Sequence, residues 1–226
     1  MTWWLLTFAR CGQARYLSHL DTSRAVMRTF ARAGVPLALS RGMRPKPRLS
    51  LPLPLPVGAA GSDELAVLEV PDGVPAGADV LRRLQAAAPP GLEPCAVIVA
   101  GDRHPRPQAL EAEYSCLLEG DAGAVLAAVE RYNEESTVAC ERVSPKGRRS
   151  LDLKRYVAHA AVVREAGGAR VRFAIRNRDD GSARPQELID LVAGWAGVVA
   201  AMRDLQRGRI VWKDLPRGDA LRPEGV

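Results

Sequence analysis

From Leu49 to Val57 the chain alternates Leu49, Leu51, Leu53, Leu55 and Val57 with Ser50, Pro52, Pro54 and Pro56, a pattern that few backbones can carry. In an extended chain the side-chain direction and the hydrogen-bonding edge both repeat every two residues. The leucines would therefore share one face, and the prolines would strip N–H donors from one edge. The alternation predicts an edge strand that pairs on one side only, with its other edge blunted against aggregation.

The elements around this segment follow from apolar spacing and end signals. Trp3 to Ala9 reads as a buried strand, and Ser18-x-x-Asp21 has the form of a capping box opening a helix, with Asp where Glu or Gln is commoner. Leu20, Met27 and Phe30 recur at helical spacing and are expected to face the core. Gly34 and Pro36 end this helix, and Val35 to Leu39 is expected to resume as strand. Glu64 to Val70 reads as strand, Ala78 to Ala88 as a short helix and Pro94 to Ala100 as strand. This completes βαββαβ with one extra or broken strand, the ferredoxin-like order.

Gly101 to Gln108 reads as a linker, after which the order begins again. Strand is expected over Ala112 to Leu118, helix over Ala122 to Asn133, and strands near Thr137 to Val143, Arg155 to Arg164 and Ala169 to Arg176. A helix over Pro185 to Ala193 and a last strand near Arg209 to Lys213 follow. The expected fold is α+β: two ferredoxin-like halves, each an antiparallel sheet with its helices on one face. The first, a basic domain, spans 1–101 and the second 109–216, with a mobile tail at 217–226.

Charge is distributed unevenly. The first fifty residues hold nine cations, Arg10, Arg15, Arg24, Arg28, Arg32, Arg41, Arg44, Lys46 and Arg48, against the single acid Asp21, a local net of +8 in a chain whose total is +6. A concentrated basic field attracts polyanions by steering and counterion release, which makes RNA the first candidate ligand. No apolar run has the length of a membrane span; Trp3 to Phe8 is too short, and no basic segment precedes it as in a signal peptide. No membrane association is expected, and the address read from the sequence is cytoplasmic.

Metal and cofactor chemistry are not expected. Cys11, Cys95, Cys116 and Cys140 are scattered without a C-x-x-C pair or a histidine at zinc-finger spacing. An iron-sulfur cluster of the radical-SAM type needs three closely spaced thiolates, so this chain is not itself such an enzyme.

Three groups of residues are candidates for holding phosphate. His19, at the start of the first helix, sits where backbone N–H groups are unpaired and the dipole is positive, with Arg15 and Arg24 near it in sequence. Arg24, Arg28 and Arg32 stand at i, i+4 and i+8 and form a cationic ridge that repels itself without an anionic partner. Arg41, Arg44, Lys46 and Arg48 lie on a loop in which Gly42 allows close approach while Pro45 and Pro47 limit the entropy lost on binding. A second basic cluster, Lys146, Arg148, Arg149, Lys154 and Arg155, surrounds Asp152; on a hairpin its alternate residues would face opposite sides. Aromatic residues are few and none form an RNP-like pair, so recognition of RNA backbone and shape is expected rather than base stacking.

Tyr16-Leu-Ser-His-Leu-Asp21, Arg32-Ala-Gly-Val-Pro36 and Gly42-Met-Arg-Pro-Lys-Pro-Arg-Leu-Ser50, running into Leu53-Pro-Leu-Pro-Val-Gly58, resemble the bacterial radical-SAM-associated domain family of unknown function. Lys146-Gly-Arg-Arg-Ser-Leu-Asp-Leu-Lys154 and Arg184-Pro185 extend the resemblance more weakly. Members occur alone or joined behind a radical-SAM enzyme, often encoded beside a ribonuclease and ribosomal-protein genes. The resemblance implies an accessory module for a separate radical-SAM enzyme encoded nearby and acting on RNA, with tRNA or rRNA as the ligand. Relatives commonly carry a histidine between the two prolines of the loop, where this chain has Lys46. Phosphate contact survives that difference better than catalysis does.

Two other classes of function fit the same residues. A metal-independent endoribonuclease of the tandem ferredoxin-like type would use His19 as its acid-base group amid the surrounding cations. A protein-interaction adaptor would dock the basic face on an acidic patch of the radical-SAM partner.

Overall fold

A computed structural model of the chain describes residues 1–144, 147–200 and 204–215. Strand β1, Thr2–Arg10, carries Trp3, Trp4, Leu5 and Leu6 in succession, all buried. A run apolar on both faces belongs in the middle of a sheet. β1 pairs antiparallel on one side with β3, Ala60–Val70, and on the other with β4, Leu92–Gly101. A two-residue strand β2, Leu49–Ser50, adds to the far side of β3 and gives the order β4-β1-β3-β2.

Even-numbered residues of β1 and β3 point to one face, where Trp4, Leu6, Phe8, Ala66, Leu68 and Val70 meet helices α1, His19–Arg32, and α2, Ala78–Ala87. Odd-numbered residues point to the other, where Trp3, Leu5, Leu65 and Val67 pack with Ile98. Each fully buried Leu or Phe contributes roughly 1.5 to 3 kcal/mol relative to exposure.

α1 begins at Ser18, whose Oγ accepts from the Asp21 N–H at 3.1 Å and donates to Asp21 Oδ2 at 2.7 Å. The helix ends in a Schellman-type turn: Gly34, at φ 65°, donates to Ala31, and Val35 donates to Phe30. The buried stripe of α1 is Thr22, Val26, Thr29 and Phe30. Leu20, expected in the core, is instead exposed, because it lies one residue ahead of Asp21 on the solvent side of the first turn.

Two further expectations are corrected in this region. Val35 to Leu39 is not a strand; it contributes one isolated bridge, Leu39 to Pro47. Of the Leu49 to Val57 alternation only Leu49 and Ser50 are strand. The chain leaves the edge of β3 after Ser50 although the residues between the prolines keep their N–H groups. The inward bias of the leucines survives: Leu49 and Leu51 pack on the core beside α1, and Leu55 is buried.

The described chain divides into two compact units, one of Met1–Ala109 together with residues 212–215, the other Leu110–Val211. Trp212 belongs with the first unit, where it packs, partly buried, against the cluster of Trp3, Leu5 and Ile98.

The second unit contains β5 (Gln108–Glu119) from Leu110 onward, α3 (Ala122–Glu134), the hairpin β6 (Ala139–Ser144) and β7 (Gly147–Asp152), β8 (Ala160–Glu165), β9 (Gly168–Arg176), α4 (Pro185–Ala196), β10 (Val199–Ala200) and β11 (Gln206–Lys213) as far as Val211. Its strand order is β11-β5-β9-β8, with β10 also paired to β5 and the hairpin forming a sheet of its own. β7 is an additional strand, and the strand expected from Arg155 starts only at Ala160, because Leu153–Arg155 forms a 3-10 turn first. Lys146 and the expected tail at 217–226 lie outside the described residues. The fold is mixed α+β with mostly antiparallel pairing.

Candidate nucleic-acid interface

The Pro-containing basic loop is an arch built on the edge of β3. Ala38 N–H donates to the Glu69 carbonyl at 2.8 Å, Glu69 N–H donates to Arg48 at 3.1 Å, and Arg48 N–H donates to Ala38 at 2.8 Å. Higher up, Ser40 N–H donates to the Lys46 carbonyl at 2.8 Å, and the Ser40 hydroxyl accepts from the Lys46 N–H at 3.1 Å. Gly42, at φ 136°, turns the tip in a conformation other residues rarely adopt. Arg41, Arg44 and Lys46 are exposed on this frame, and no ion pair engages them among the described residues. The frame is fixed while its charges are left to solvent.

Arg48 has a different position from the other three. Its guanidinium pairs with Glu69, whose side chain is 7% exposed, and lies 4.9 Å from the centroid of the Trp3 ring. Trp3 and Glu69 are cross-strand neighbours on the face opposite the helices. The Trp3 ring also meets His104 at 4.1 Å between centroids. Burial, with the positive charges of Arg106 and Arg48, lowers the His104 pKa below the ordinary 6.5. Arg48 thus anchors the foot of the arch.

The helix residues separate in the same way. Arg24, Arg28 and Arg32 are exposed along one side of α1, as the spacing predicts. Arg24 is paired with Asp21 at 3.1 Å. The Ser18 hydroxyl, and next to it Arg24, hold the Asp21 carboxyl below its ordinary value. Arg15 donates to the Gly58 carbonyl at 2.6 Å and is half-buried. His19, the first residue of α1, is exposed at the margin of a one-water-sized cavity of about 10 Å³ that Arg10, Thr22, Leu55 and Glu64 also line.

In the second unit Arg148 and Arg149 are exposed on β7, and Arg148 pairs with Glu141 at 3.3 Å. Lys154 turns inward and donates to the carbonyls of Tyr132 and Ala158, at 3.1 and 2.9 Å, with its ammonium 4.6 Å from the Tyr132 ring. Arg155 pairs with Asp180. Among the described residues, no group of three or more His, Cys, Asp or Glu is placed to hold a metal ion.

The family model described as "Uncharacterized protein conserved in bacteria (DUF2344)" matches residues 4–185. The chain belongs to this family. The DUF2344 match takes in the arch, α1 and the first hairpin of the second unit. No curated protein matches the chain in sequence. Among solved structures, a chain from "Crystal Structure of a Cbf5-Nop10-Gar1 Complex" is similar with a TM-score of 0.52 and 16% identity over 92% of this chain and 48% of that one. This DUF2344 chain thus spans about half the length of that neighbour, and the likeness is one of fold. No helix among the described residues is long and apolar enough to cross a membrane.

Two residues that support the arch and the segment behind it escape a reading of charge alone. Arg10 is 1% exposed and Glu69 is the arch's acidic anchor. Strand parity could have found both: Arg10 shares the inward side of β1 with Trp4, Leu6 and Phe8, and Glu69 shares a face with Leu65 and Val67.

Proposed function

We propose that this protein binds RNA and presents it to a separate radical-SAM RNA-modification enzyme, gripping the RNA backbone through the arch and the α1 ridge. One observation carries the reading: Arg41, Arg44 and Lys46 are exposed without ion pairs on a loop whose foot is fixed by backbone bonds to Glu69. A cation that is already positioned and has no carboxylate to give up binds phosphate at little reorganisation cost. The ridge of Arg28 and Arg32 in the same unit adds to the field, and Arg148 and Arg149 offer a second contact. The radical-SAM partner and a tRNA or rRNA ligand come from the family resemblance, and the cytoplasmic setting from the lack of a long apolar run in the sequence.

We also take each unit as a ferredoxin-like half, approximately 1–101 and 109–216. The orders β4-β1-β3-β2 and β11-β5-β9-β8 support this, each being the split βαβ arrangement with two helices. The second half then carries the β6–β7 hairpin as an insertion.

The test is RNA binding by the purified full chain across a salt series. Replacing Arg41, Arg44 and Lys46 together by Ala should weaken binding and flatten the slope of log affinity against log salt by about 2, at roughly 0.7 per lost phosphate contact. Absence of RNA retention at low salt, or an unchanged slope, defeats the reading. Co-purification of a radical-SAM enzyme that survives nuclease treatment would tie the chain to its partner.

A further inference from the structure

The arch encloses one side of a cleft of about 470 Å³, lined by Met1, Leu39, Ser40, Arg41, Arg48 and Glu69. That is within the range of about 300 to 1,000 Å³ that small-molecule sites occupy, and it is wide enough for one nucleotide. Its charges are sorted by depth. Arg41 is exposed, whereas Glu69, 7% exposed, lies in the floor with Arg48 paired to it.

This sorting rules on what enters. A phosphate beside the Glu69 carboxylate would be repelled, while at Arg41 it would be attracted. A nucleobase suits the floor better, since it is neutral and carries N–H donors. Arg48 NH1 pairs with Glu69 Oε2, and a carboxylate has about four lone-pair sites, enough to accept a base N–H as well.

The walls are also those of a base site. Leu39 and Met1 are each 57% exposed, an apolar pair beside a cationic loop. Arg48 is held over Trp3 at 4.9 Å and is itself 46% exposed. A guanidinium that rests near an indole and is still partly exposed can serve as a stacking platform, a role guanidinium planes take with unpaired bases.

We infer that this cleft takes a single unpaired nucleotide of the bound RNA, with the base on Arg48 and Leu39, a base N–H donated to Glu69 and the phosphate on Arg41. The inference rests on the RNA-binding reading and adds to it a preference for loops, bulges or single strands over duplex. A paired base has its edge occupied and its faces stacked, so it cannot enter.

The experiment compares two RNAs with the same number of phosphates, a hairpin with an unpaired loop and a blunt duplex, against the full chain and Leu39→Ser. Leu39 is exposed, so this variant keeps its fold. The wild type should bind the looped RNA about tenfold more tightly, as base stacking implies. Leu39→Ser should lose most of that preference while holding the duplex as before, and a photoreactive thiouridine in the loop should crosslink to the segment 39–48. Equal affinity for the two RNAs, or a preference that Leu39→Ser leaves intact, overturns the cleft while sparing the RNA-binding reading. No affinity for either RNA overturns both.

Discussion

The Arg10 guanidinium donates a 2.9 Å hydrogen bond to the Pro56 carbonyl from inside the fold. The same side chain, 1% exposed, also donates to the Thr22 hydroxyl at 2.9 Å, the Leu17 carbonyl at 3.1 Å and the Ala59 carbonyl at 3.3 Å. The proline-rich segment leaves the strand ladder after Ser50, and Arg10 grips its far end by the Pro56 carbonyl.

Arg10→Lys should therefore destabilise the protein by about 3 kcal/mol, because a single ammonium cannot reach acceptors on both sides and leaves buried carbonyls unpaired. Urea unfolding measures the loss. Amide exchange at Gly58, whose N–H is bonded to the Arg15 carbonyl at 2.8 Å, should quicken at the same time. A shift below about 1 kcal/mol would show that the clamp is incidental.

Glycines 168 and 194 should respond to Ala in opposite directions. A Cβ at Gly168 would lie 2.0 Å from the Leu118 carbonyl oxygen, on the partner strand β5, and backbone cannot move aside cheaply. Gly168→Ala should cost about 3 kcal/mol or more. A Cβ at Gly194, inside α4, meets nothing within 4 Å, so Gly194→Ala should add roughly 0.5 to 1 kcal/mol through helix propensity. Thermal melts of the pair decide both.

How far the sequence was legible depended on whether an interaction was local. The Ser18 cap, the spacing of Arg24, Arg28 and Arg32 on one side of α1 and the starts of α2 and α3 follow from neighbours along the chain, and the structure has them in place. The Leu49 to Val57 alternation gives the inward bias of Leu49, Leu51 and Leu55, but neither the exposure of Val57 nor the hydrogen bonds, since pairing depends on β3, which is remote in sequence. Arg48, Arg15 and Lys154 were read as surface charges for the same reason. Their partners, Glu69, Gly58 and the end of α3, come near only on folding.

Acid should weaken the second unit through Glu187. Burial works to raise the pKa of this carboxyl, but the Arg142 guanidinium, bonded at 2.6 and 2.8 Å, and the Arg184 N–H at 2.7 Å outweigh it and leave the value below the ordinary 4.5. A carboxylate held low stabilises the fold fully above its ordinary value and loses that contribution as pH falls through its folded value. Wild-type stability should accordingly drop below about pH 4.5. Glu187→Gln should be less stable at neutral pH and should show a shallower acid limb in denaturant midpoints. An acid limb identical to wild type would sink the assignment.

Arg48 should act on RNA through position rather than charge. Arg48→Lys keeps the positive charge and can still pair with Glu69, yet it loses the planar group that lies over Trp3. A cation–π contact contributes about 0.5 to 2 kcal/mol and an ammonium keeps part of it, so the foot of the arch should loosen and RNA affinity should fall by roughly threefold. Arg44→Lys is the control: Arg44 is exposed at the tip, where a point charge serves a phosphate nearly as well, and its affinity should stay within about twofold. Anisotropy titrations at one low salt concentration, with Trp emission followed in parallel, separate the two. If both variants lose affinity equally, Arg48 is one more phosphate contact and the anchoring role fails.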